Sequence, residues 1–145
     1  MDTFDFGDGL GAVAAARHPR GGGWVAMTAM VDAGAHIGPN AAIGGTATVG
    51  AGVSVYQRAR VHGAARVSGQ ARISGDAVVT GASHISERAR VYQRASVSDS
   101  SVSGDARVCG EAKLVAGCAL SGHSSAYGEA NLSGETISGN ERRVD

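Results

Sequence analysis

Few residues in this chain offer reactive chemistry, and most of them are unevenly spaced. Five histidines, two cysteines and three tyrosines are spread over 145 residues. His36, His62, His84 and His123 lie 26, 22 and 39 residues apart, so no close pair is available to share a metal ion. Cys109 and Cys118 lack partners at zinc-site spacing, and two cysteines do not make a disulfide framework. No Ser-His-Asp or Cys-His arrangement can be argued, and the glycines mark corners rather than a phosphate loop. The cations are more regular. Arg72, Arg90 and Arg107 follow one another at 18 and 17 residues. The segment VYQRA occurs at 55–59 and again at 91–95, 36 residues apart. Guanidinium groups and phenols on a fixed repeat suit recognition of an anion or a planar group.

A repeat must position them. Aliphatic residues fall every six positions from Val25 through Val31, Ile37, Ile43 and onward to Val97, thirteen in register. One residue then drops out, and the series resumes as Val102, Val108, Leu114, Leu120, Ala126 and Leu132. A second single-residue slip precedes Ile137. Four residues after most anchors stands a small one, such as Ala59, Ala65, Ala71 or Ala77. On an α-helix, positions six apart wind around the cylinder, so a helix does not fit. Strand plus corner does. The small residue and the next anchor are two apart and point inward on one short strand, with the residue between them outward.

Composition agrees. The 26 alanines and 23 glycines make a third of the chain, and Leu, Ile, Val and Phe total only 27. That predicts a thin, repetitive core. Thirteen basic residues balance thirteen acidic ones, which argues against disorder driven by self-repulsion and against a basic nucleic-acid domain. No apolar run approaches the ~20 residues of a membrane span. The N-terminal MDTFDFGDG lacks the basic and apolar regions of a secretory signal. The expectation is a cytoplasmic protein with no membrane partner.

The pattern of an aliphatic residue, any three, a small residue and any one resembles the hexapeptide-repeat family over residues 25–137. The resemblance implies an all-β, single-stranded parallel β-helix (a β-solenoid), left-handed, with triangular coils of about 18 residues, about six in number. Residues 1–23 read as an N-terminal cap and Gly-rich lead-in, 24–138 as the β-helix, and 139–145 as a frayed tail. The cap reads as a short hairpin, with Phe4, Phe6 and Leu10 covering the first coil and Trp24 as a lid on the core. His18 reads as a linker residue. Many relatives in this family are acyltransferases that use acetyl-CoA and a histidine general base between subunits. They usually extrude a loop from a coil, and none interrupts this one. His62 and His84, outward and mid-prism, are the catalytic candidates under that reading. The His-x4-His spacing of the carbonic-anhydrase-like branch is missing, so no metal is expected. The family also implies a homo-oligomer, commonly a trimer.

Stacking every third strand on one side brings all three tyrosines together. The outward pairs of that face are His36/Gly38, Ser54/Tyr56, Arg72/Ser74, Arg90/Tyr92, Arg107/Cys109 and Ser125/Tyr127. Arg58, Asp76, Arg94, Glu111 and Glu129 line the adjoining corner. The candidate binding face is therefore Tyr56, Arg72, Arg90, Tyr92, Arg107 and Tyr127, with Arg58 and Arg94 beside it. Tyrosine and arginine are enriched at interface hot spots. The expected function is a non-enzymatic interaction or assembly module, oligomeric, working through this face. The alternatives are an acyltransferase with a site between subunits, and a phage-type inhibitor that binds a nucleotide or nucleoprotein. The strip with Thr48, Arg66, His84, Ser101 and Ala119 is flatter and suits subunit packing.

Overall fold

Strands of two or three residues joined by corners follow from a six-residue period, and this is what the chain builds. The computed structural model describes residues 2–5 and 11–144, among which there are 23 strands and no helix. They form three sheets of nine, seven and seven strands. Sheet A holds Ala42–Ile43, Arg60–Val61 and Val78–Thr80 among others; sheet B starts at Met30–Val31, and sheet C at His36–Ile37. A strand pairs in parallel with the one a coil later, as Arg66 does with His84. The result is a β-solenoid of about 7 turns with 18-residue coils. Arg142–Val144, expected to be frayed tail, instead pairs with Ser125–Tyr127 and extends sheet C by a strand.

The core is one column of aliphatic anchors alternating with alanine. Ile37, Ile43, Ile73, Ile85, Leu114 and Leu120 are fully buried, with Ala59, Ala65, Ala71 and Ala77 between the rows. Each such aliphatic side chain contributes about 1.5–3 kcal/mol. Ser83 and Ser124 take the small inward position in two coils. Each is buried, and its hydroxyl donates to the carbonyl three residues earlier, Thr80 and Ser121, both at 2.7 Å. The first single-residue slip is absorbed at Asp99, whose φ is 51°. Its Oδ1 accepts the Ala82 amide of the coil above at 2.8 Å, a bond that a backbone carbonyl makes where Ala64 donates to Gly81.

Strand edges at a solenoid end must be covered. β1 (Asp2–Asp5) and β2 (Ala12–Arg17) form an antiparallel hairpin, and β2 pairs antiparallel with β3 (Trp24–Ala26). The hairpin thus extends sheet A beyond the first coil. Trp24 is not a lid on the core. Strand alternation sends Val25 toward the main core and Trp24 outward, into a separate cluster with Ala15, Ala26 and Ala42. There the indole stacks on Phe4 at 5.1 Å, and Arg17 lies 4.5 Å over it. Phe6 and Leu10 lie outside the described residues.

The lead-in covers the edge of sheet C. Gly23 donates to the Ile37 carbonyl at 2.9 Å, and Ile37 to the Arg20 carbonyl at 3.0 Å. No side chain fits at Gly23, because a Cβ would collide with Ile37 and the Gly38 carbonyl. His18 is a buried clamp rather than a linker residue. Its Nδ1 accepts the Arg20 amide at 3.1 Å, so Nε2–H donates to the Asp32 carbonyl at 3.0 Å. His18→Ala removes both bonds, each worth about 0.5–1.5 kcal/mol, and strips the Arg20 amide of its partner while the Asp32 carbonyl keeps the Ala35 amide at 3.0 Å. Urea denaturation measures this, and an unchanged midpoint would contradict the clamp role.

Candidate functional site

Parallel pairing converts sequence spacing into columns on sheet C. Arg72 lies beside Arg90, and Arg90 beside Arg107. Ser125 follows Arg107, and Arg142 follows Ser125. A second column runs two residues on. The ladder bonds from Tyr56 to Ile73, Ser74 to Val91, Tyr92 to Val108 and Cys109 to Ala126 order it as Tyr56, Ser74, Tyr92, Cys109 and Tyr127. The six residues of the expected face are therefore brought together.

Among the described residues, carboxylates do not neutralise this face. The acids beside it are engaged at the corners. Arg58 Nε lies 2.9 Å from Asp76, and Arg94 Nη2 lies 3.2 Å from Glu111. On the opposite corner Arg88 Nε lies 2.9 Å from Asp105, which His123 Nδ1 approaches to 3.6 Å. Arg58 and Arg94 thus belong to corner ion pairs beside the face. Arg72, Arg90, Arg107 and Arg142 have no ion pair with a carboxylate among the described residues. Rungs about 4.8 Å apart imply repulsion of roughly 1 kcal/mol per neighbouring pair in water.

The lower half of the face is a groove of about 590 Å³. Arg90, Arg107 and Arg142 run along it, with Tyr92, Cys109 and Tyr127 on one side and the Arg88–Asp105–His123 group on the other. A hydrogen bond with the Cys109 thiol, reinforced by burial, pushes the Tyr92 phenol above its ordinary value, while Arg107 pulls it down. Cys109→Ala should therefore return Tyr92 toward the ordinary phenol range. A tyrosinate absorbance titration checks this, and an unchanged curve would contradict the contact.

Several groove residues were absent from the expected site. Arg142 lies beyond the last aliphatic anchor, where the pattern was read as ended. Arg88, Asp105 and His123 are corner residues whose convergence depends on side-chain direction. Cys109 was placed on the face but given no role. The acyltransferase candidates are not brought together within the chain. His62 follows Arg60–Val61 of sheet A, and His84 lies in sheet B. Among the described residues no three His, Cys, Asp or Glu side chains are grouped to hold a metal ion. Comparison with protein-family models, with curated proteins and with solved structures returns no match.

Proposed function

We propose that the protein is a binding module, in which a β-solenoid presents the Tyr/Arg face of sheet C to an anionic partner. The observation that carries this reading is the column Arg72, Arg90, Arg107 and Arg142. Among the described residues it has no carboxylate partner, while arginines at both adjoining corners are paired. In a chain of zero formal net charge, such a column concentrates positive potential on one side, which is what an anionic partner recognises. Self-association through this face would set one guanidinium column against another, which is repulsive. A foreign partner suits it better. Oligomerisation, in this reading, belongs to the flatter outer strip of sheet B with Thr48 and Ser101.

The test is retention of the intact protein on phosphocellulose at pH 7. We expect binding at about 50 mM salt and release as salt rises, because charge contacts are screened. Passage in the flow-through at low salt would overturn the proposal.

A further inference from the structure

The second column of sheet C alternates aromatic and small residues: Tyr56, Ser74, Tyr92, Cys109, Tyr127. Rungs are about 4.8 Å apart. A planar ring placed on a small rung therefore lies about 4.8 Å from an adjacent phenol level, inside the roughly 4.5–7 Å of offset aromatic pairs, and at the Cys109 rung the phenol left to stack on is Tyr127, because Tyr92 bonds the thiol. The two small rungs are not equivalent. Ser74 is nearly covered at 9% exposure, and its slot holds about 160 Å³. Cys109 is half-buried and opens on the groove of about 590 Å³, a volume within the roughly 300–1,000 Å³ of small-molecule sites. One roomy slot favours a ligand with one ring over a strand that needs several.

Charge narrows the ligand further. Among the described residues, Arg90, Arg107 and Arg142 border the groove without a carboxylate partner, and the one acid lining it, Asp105, is held by Arg88. A single carboxylate would leave two of these guanidinium groups uncompensated. Linked phosphates carry several negative charges and match the guanidinium fork. The ring column and the cation column lie two residues apart on the same strands, about 7 Å. A base and the phosphates joined to it through a sugar span that distance.

We infer that the groove binds a nucleoside di- or triphosphate, its base at the Cys109 rung against Tyr127 and its phosphates on Arg90, Arg107 and Arg142. This rests on the anionic-partner reading and names the ligand class for it. The phosphates supply most of the attraction, and the ring slot supplies the preference for a nucleotide over a simple polyanion.

Calorimetric titration of the intact protein with ATP, inorganic tripolyphosphate and a ten-residue oligothymidylate tests it. ATP is expected to bind about tenfold more tightly than tripolyphosphate, as one base–aromatic stack allows. Tyr127→Ala should remove that advantage and leave tripolyphosphate affinity unchanged, with Tyr127→Phe restoring it. Equal affinity for ATP and tripolyphosphate, or indifference to Tyr127→Ala, would overturn the nucleotide site while leaving an anion-binding face. Tighter binding of the oligonucleotide than of ATP would overturn the free nucleotide in favour of a strand. Binding of none of the three, together with no retention on phosphocellulose, would overturn the underlying reading as well.

Discussion

Reversing Arg90 and Arg107 together to glutamate abolishes retention on phosphocellulose and weakens ATP or tripolyphosphate binding by at least about 100-fold. Both side chains point outward from strands whose inward neighbours, Val91 and Val108, are fully buried. The substitutions therefore leave the core untouched. Neither guanidinium is engaged by a carboxylate among the described residues, so no described acid loses a partner. Each lost charge-assisted contact is worth about 1.5–3 kcal/mol, and each reversal adds repulsion where there was attraction. The variant should keep the wild-type circular dichroism and melting temperature. Arg58→Ala is the matched control. Its partner Asp76 is 42% exposed, and an exposed pair of this kind contributes about 0–1 kcal/mol. Binding by Arg58→Ala should stay near wild type. If the double reversal bound anions as wild type does, the face would not be the working surface.

The alignment of Arg72, Arg90 and Arg107 was legible because a strand residue recurs at nearly constant spacing once the coil length is known. Thirteen aliphatic anchors in phase supply that length. The same logic lines up Arg58, Asp76, Arg94 and Glu111 on one corner, where Arg58 pairs with Asp76 and Arg94 with Glu111, each one coil apart. Three features were hidden for different physical reasons. Trp24 is large and apolar, which suggested the core. Alternation along β3 gives the core to Val25, and the hairpin supplies an outer surface for the indole to cover. His18 precedes proline and a glycine run that read as loop. Its role depends on the Asp32 carbonyl, fourteen residues away across a corner, and local spacing does not reveal that. The groove depends on Arg142, which lies past Ile137, the last aliphatic anchor of the repeat. The position six residues beyond that anchor is Arg143, which broke the apolar pattern although the strand continued.

That arginine leads to the second large effect: Arg143→Val should give the protein a sticky end. Pairing places Arg143 beside Ala126, a fully buried core residue. It thus occupies the inward register of the last strand of sheet C. Its guanidinium reaches Glu135 at 3.6 Å and Glu141 at 3.2 Å, spreading charge beside a terminus where Leu132 and Ile137 are the last aliphatic anchors. Sheets A, B and C end there in Asn131–Ser133, Thr136–Ile137 and Arg142–Val144, and none of these strands has a further partner among the described residues. Free strand edges around an apolar floor invite another molecule, and an inward charge is one way to refuse it. Valine removes the charge and completes the aliphatic column, so it should not unfold the chain. The lost ion pairs are partly exposed and worth little, and a buried methyl-bearing side chain offsets them. Light scattering coupled to size exclusion should show species larger than wild type that grow with protein concentration. Arg143→Lys keeps the charge and should retain the wild-type profile. If the valine variant eluted as wild type at every concentration, Arg143 would be closing its own core without guarding the end against a second one.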